Sequence, residues 1–142
     1  MATRQATKTY FDHWVELRHQ LWPDASMESL RLEAKSVLAA PEEICFLVFN
    51  NADVIIGFAE AAIYRGPSAP YAHLEGWYVL PQWRGRGFGR ELLDCVEQWC
   101  LHHTIYKLTS DTTTDYPLSP AAHKHLGFKT VCEFTIFMKD LQ

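Results

Sequence analysis

At 142 residues, 48% of them hydrophobic, the chain is long enough for one domain with a substantial core. Thirteen lysines and arginines against seventeen aspartates and glutamates leave a formal charge of −4, which argues against a nucleic-acid-binding surface and permits an acidic cleft for a cationic substrate. With no signal peptide and no apolar run of membrane-spanning length, the expectation is a soluble, cytoplasmic protein that does not engage a membrane.

A short strand is expected at Thr3–Ala6. Trp14, Leu17 and Leu21 then recur at helical spacing until Pro23 stops the run. A second helix fits Ser26–Ala39, with Leu30, Ala34 and Val37 on one face and Pro41 beyond its end. "ICFLVFN" and "VIIGFAEAAIYR", joined by Asn51-Ala52-Asp53, predict an antiparallel hairpin. "YAHLEGWYVL" is a further strand, ending before Pro81. Gly89–His102 is helical with Leu92, Leu93, Val96 and Cys100 inward, and "IYKLTSD" reads as a buried strand. Ser119 as N-cap and Pro120 at the first helical position open a short helix that Gly127 closes. "KTVCEFTIFMKDL" is the expected last strand. The order describes a mixed α/β layer fold in a single domain, 1–142. Cys45, Cys95, Cys100 and Cys132 lie in apolar runs without paired spacing, so they are expected to be reduced and buried; no metal site is expected.

The stretch "VLPQWRGRGFGREL", Val79–Leu92, contributes little to a core. A strand running into a glycine-rich turn and then a helix makes an anion site, because the first helical N–H groups are unpaired and the helix dipole adds about half a positive charge. Gly87 and Gly89 allow close backbone approach, and Arg84, Arg86 and Arg90 add forked cationic donors. The G-x-x-x-x-G-K-[ST] phosphate loop is absent, and Gly85, Gly87 and Gly89 do not space as G-x-G-x-x-G. A flexible turn with solvated arginines is the plain alternative.

Arg84-x-x-Gly87-x-Gly89 after a "V-x-P" strand end resembles the pyrophosphate loop of the GNAT acetyltransferases. The element order and "HKHLGF" near the end match that superfamily over essentially the whole chain. "LRHQLWPD", "HLEGWYVLP" and "TSDTTTDYPLSPAAHKHLGF" further resemble stretches of the short aminoglycoside 6'-N-acetyltransferases. The resemblance implies a GNAT fold: a central, mostly antiparallel sheet, splayed between its fourth and fifth strands and flanked by about four helices. It implies acetyl-coenzyme A as cosubstrate, its pyrophosphate on the loop Arg84, Gly85, Arg86, Gly87, Phe88, Gly89 and Arg90. The pantetheine arm would lie along the exposed strand edge at Tyr78 and Val79. Tyr116 stands where the family has an asparagine that meets that arm. The family usually carries a longer segment before the fourth strand than "YRGPSAPYAH", and an acidic residue of its last strand falls here at Cys132, beside Glu133.

Acetyl transfer to an amine needs a neutral amine, a stabilised thioester oxyanion and a proton for the departing thiolate. Glu75, four residues before Val79 and so on its face by the period of two, and Asp111, ending the fifth strand, flank the expected splay. Either could hold the ammonium and relay its proton; the alternatives are a strand-edge charge and a strand-end cap. The Val79 backbone N–H is the expected oxyanion donor. His123 stands where many of these enzymes carry a tyrosine acid, and is otherwise a helix-surface histidine. Trp22 could stack on a sugar ring or simply fill core, and Asp24, Glu28 and Asp115 could hold further ammonium groups or be solvated. No cysteine is placed as an acyl carrier, so direct attack in a ternary complex on an aminoglycoside 6'-amine is expected. Acetylation of another polyamine or a peptide amine, and a non-catalytic acyl-coenzyme A-binding module, are the rival readings. A long apolar last strand whose edge needs covering, together with the resemblance, implies a homodimer.

Overall fold

The structure, a computed structural model, describes residues 2–142. Its contacts gather into two compact units, one ending at Asp111 and the other spanning Thr112–Gln142.

The first unit runs β1 (Thr3–Gln5), α1 (Phe11–Leu21), α2 (Met27–Ala39), β2 (Glu43–Phe49), β3 (Ile55–Tyr64), β4 (Tyr71–Val79), α3 (Phe88–His102) and β5 (Leu108–Ser110). The strands form one sheet in the order β1-β2-β3-β4-β5. All neighbours are antiparallel except β4 and β5, which are parallel and joined through α3. The helical spacing seen in sequence is what packs: Trp14, Val15 and Leu17 of α1, Leu30 and Ala34 of α2, and Leu92, Leu93, Val96 and Cys100 of α3 are buried. Boundaries follow local chemistry. Ser26 caps α2 by accepting the Ser29 N–H at 3.1 Å, and Ala40, preceding Pro41, is already extended. In the hairpin turn Asn50 Oδ1 accepts the N–H groups of Ala52 and Val54, and Asp53 takes φ 61°.

Several expectations are corrected. The strand predicted over "IYKLTSD" forms only at Leu108–Ser110. Ile105 is buried, yet Tyr106 is 77% exposed, because in this sheet β5 has a neighbour on one side alone. In the second unit α4 (Ser119–His125) starts from Leu118, not from Ser119, and no side chain caps it. The Ser119 hydroxyl instead meets His123 Nδ1 at 3.2 Å, one turn on. Gly127 ends the helix at φ 97°, as expected.

Among the described residues no strand follows α4. The alternating pattern of 129–141 predicts a strand, but a strand exists only with a ladder partner, and none is assigned to this segment. Its apolar side chains stand exposed, Phe134 at 75% and Val131 at 91%. The cysteines are all free, but only Cys45 and Cys100 are buried; Cys95 is half-buried and Cys132, on the unpaired segment, is exposed.

Candidate active site

The sheet opens between β4 and β5. The two strands pair only at Ala72–Leu108, His73–Thr109 and Leu74–Ser110; β4 continues to Val79 while β5 ends. The neighbouring Leu80 N–H donates to Ile56 O across the β3 side. Alternation therefore turns the Val79 N–H and C=O the other way, towards the open edge. Arg84 Nε donates to that Val79 carbonyl at 2.8 Å, and its guanidinium lies over the Tyr78 ring. The fork is thus braced from the turn that follows it.

In that turn Gly85 and Gly87 have φ 77° and 90°, and a Cβ on either would meet nothing within 4 Å. Backbone conformation, not crowding, demands glycine at both. Gly87 is the N-cap of α3, so the helix opens on bare amides of Phe88, Gly89 and Arg90. Gly89 has a different reason: its carbonyl accepts the Trp77 indole N–H at 3.0 Å, and a Cβ would press on that ring at 3.4 Å. Arg86 lies over Trp83. Open amides, positive-φ glycines and flanking guanidinium groups fit a pyrophosphate.

Glu75 is set by a bulge. Glu60 pairs with Gly76 and Ala61 with Leu74, leaving Glu75 as the extra residue of β4. The bulge overturns the period-two count: Glu75 turns to the same face as Gly76 and Tyr78, and Val79 lies on the other. On that face Tyr64 donates its hydroxyl to Glu75, a bond that pushes the Tyr64 phenol up to about 12 and keeps it a donor. Asp111, across the fork, stands 3.6 Å from His73 Nε2 and is largely exposed.

A pocket of about 310 Å³ opens on this face, lined by Trp22, Glu33, Glu43, Glu60, Tyr64 and Glu75 among others. Trp22 serves both readings made of it. Its ring packs edge-on to Phe58 and against Gly76, where a Cβ would come within 2.8 Å, and it also lines the pocket. Asp24 and Glu28 are exposed. Beneath the pocket lies a buried polar group that sequence reasoning missed. Arg18 donates to Glu60 at 2.8 and 3.0 Å and to Glu33 at 2.7 Å, and the Trp14 N–H donates to Glu60 at 2.8 Å. Burial pushes the Glu60 carboxyl up to about 7, against the pull of Arg18 and Trp14. The only signal in sequence is charge at positions whose helical and strand neighbours are core.

Asp115, Tyr116 and His123 belong to the second unit. The Asp115 and Tyr116 N–H groups donate to the Thr113 hydroxyl and carbonyl. His123 Nδ1 lies 2.8 Å from the Ser119 carbonyl. A carbonyl only accepts, so Nδ1 carries a proton, and His123 can donate through Nε2 only as the imidazolium.

Residues 7–128 match the Acetyltransferase (GNAT) family, and the chain belongs to that family. It is 36% identical over 144 residues to the aminoglycoside N(6')-acetyltransferase type 1 of Stenotrophomonas maltophilia, covering 98% of this chain and 93% of that one. To the Salmonella typhimurium enzyme of the same name it is 34% identical, covering 91% and 92%. The structure of AAC(6')-Iy with the bisubstrate analogue CoA-S-monomethyl-acetylneamine superposes with a TM-score of 0.86 at 32% identity, over 97% of each chain.

Proposed function

We propose that the protein is an acetyl-coenzyme A-dependent N-acetyltransferase acting on the 6'-amine of aminoglycosides, a resistance activity, by direct attack in a ternary complex. The observation that carries the reading is the β4–β5 fork, with Glu75 and Asp111 on its two sides and the glycine turn beyond its open end. The whole chain, 1–142, is one acetyltransferase domain, a reading supported by the family match across residues 7–128.

Arg84 to Arg90 hold the pyrophosphate, Tyr78 and Val79 pair with the pantetheine arm, and Tyr116 takes the part of the family asparagine that meets that arm. Acetyl-coenzyme A supplies the acetyl group as a thioester. Glu75 and Asp111 hold the substrate ammonium, and its proton leaves along this face. Trp22 stacks on a sugar ring, while Asp24 and Asp115 grip further ammonium groups. The Val79 N–H, turned to the open edge, stabilises the developing oxyanion. His123, its Nδ1–H held by Ser119, donates from Nε2 to the departing thiolate.

The chain works in the cytoplasm, and among the described residues no helix is long and apolar enough to cross a membrane. The exposed Val131, Phe134, Ile136 and Phe137 support a homodimer in which a second copy covers them; light scattering at micromolar concentration should give twice the chain mass, and a monomer would refute it. The activity is tested by incubating the protein with acetyl-coenzyme A and a panel of aminoglycosides and polyamines, following free thiol. Turnover of kanamycin-like acceptors is expected. Turnover of simple polyamines alone would shift the substrate class, and acetyl-coenzyme A binding without turnover would mark a binding module.

A further inference from the structure

We propose that His73 is the proton acceptor for the attacking amine, fixed in one tautomer by Thr109 and backed by Asp111. The proposal rests on the reading of the protein as an amine acetyltransferase. His73 lies on β4 at the crotch of the fork, in register with Thr109 of β5. It faces the pocket side, where its ring meets Tyr64 edge-on at 6.5 Å.

Its hydrogen bonds allow two proton arrangements, of which the proposal takes one. His73 Nδ1 is 2.7 Å from Thr109 Oγ1, and that hydroxyl donates its single hydrogen to Ala72 O at 3.3 Å. With the hydroxyl's hydrogen on that carbonyl, Nδ1 carries the ring hydrogen, and this is the arrangement proposed; a hydroxyl turned to Nδ1 would instead leave the hydrogen on Nε2. In the proposed arrangement the lone pair of the neutral ring sits on Nε2, and Nε2 faces Asp111 Oδ1 at 3.6 Å. A lone pair turned to a carboxylate is unfavourable; an N–H⁺ there is favourable. The titratable groups around His73 are Tyr64 from β3, Asp111 just after β5, and Tyr71 and Glu75 from its own strand. The charged ones among them are carboxylates, which would bring an ammonium to the Nε2 lone pair.

The step balances as follows. An N–H bond of the ammonium breaks, its proton goes to His73 Nε2 and the electron pair stays on nitrogen. That pair bonds the thioester carbonyl carbon, the C–S bond breaks, and its pair leaves on sulfur. His123 protonates the thiolate, the second amine proton restores His123 by way of solvent, and the His73 imidazolium releases its proton to water. An imidazole suits the role because its ordinary pKa of about 6.5 lies closer to an ammonium than a carboxylate's value of about 4 does.

The test combines kinetics with a direct reading of the tautomer. With kanamycin as acceptor, His73→Phe should lower kcat by about 10²–10⁴-fold, leave calorimetric acetyl-coenzyme A affinity unchanged, and abolish a limb of the kcat/KM profile in the range of about pH 5–8 where imidazoles titrate. Thr109→Val should lower kcat less and keep that limb. Nitrogen-15 NMR of the wild type should find the neutral His73 ring protonated on Nδ1. Retention of rate and limb in His73→Phe, or an Nε2–H tautomer, would overturn the proposal. If His73→Phe does not fold, Thr109→Val and the tautomer decide. A wild type that acetylates no amine would instead sink the functional reading, while the tautomer stays measurable.

Discussion

The glycine turn and the fork face put chemistry on the chain in opposite ways. From Arg84 to Arg90 the working groups are backbone amides, and side chains are mostly kept away: Gly85 and Gly87 adopt φ values that other residues resist. On the fork face the working groups are side chains, aimed by pairing errors and buried bonds. Glu75 is turned by a bulge, Tyr64 is tied to it, and the floor beneath is an ion pair between residues 42 positions apart. The turn should therefore fail through conformation and the face through chemistry, and substitutions can separate the two.

The largest effect is expected on the face. Glu75→Gln and Asp111→Asn should each lower kcat/KM, by about 10²–10⁴-fold where the group handles the proton, with acetyl-coenzyme A affinity intact. A residue that only grips the ammonium should chiefly raise KM. Kinetics with calorimetry check both, and unchanged turnover in both variants would empty the assignment.

Next come the floor residues. Arg18→Met leaves the buried Glu60 carboxyl without its main hydrogen-bond donor and should cost about 1–3 kcal/mol of folding stability, measured by urea denaturation. The floor also has a pH signature. Between the ordinary glutamate value of about 4.3 and about 7, native Glu60 holds a proton that the unfolded chain has released. In that window its contribution makes stability fall as pH rises. Glu60→Gln should remove this slope, and a persistent slope would assign it elsewhere.

In the turn, Gly87→Val should weaken acetyl-coenzyme A binding by conformation alone. Forcing a branched residue into φ 90° costs about 1–3 kcal/mol, or roughly 5- to 150-fold in affinity. Unchanged affinity in the folded variant would end the pyrophosphate assignment. Arg84→Ala should be mildest, removing one bond to Val79 O, about 0.5–1.5 kcal/mol.

The same contrast explains what could be read from sequence. The turn was legible because its requirement falls on residue types: glycine where φ is positive, arginine where an anion sits. Helices α1 to α3 were legible from apolar spacing. Glu75 was legible as a residue but not in its direction, since "HLEGWYV" alternates acceptably in either phase and a bulge depends on the partner strand. Arg18 looks like a helix-surface cation until Glu60 comes beneath it. His73 gave no local sign, because its meaning comes from Thr109 and Asp111 on a strand reached only after α3. The segment after α4 shows the reverse failure: its alternation is real, but alternation does not supply a partner.

The bulge at Glu75 has an arithmetic consequence. Leu74 pairs with Ala61 and Gly76 with Glu60, so excising the single codon for Glu75 would close the ladder with every other pairing in phase. The strand needs eight residues to be a strand and carries nine; the ninth is cargo. A chain lacking residue 75 should fold and still bind acetyl-coenzyme A, yet transfer acetyl groups as poorly as Glu75→Gln. Loss of Trp77 instead would take away the indole that bonds the Gly89 carbonyl at the start of α3.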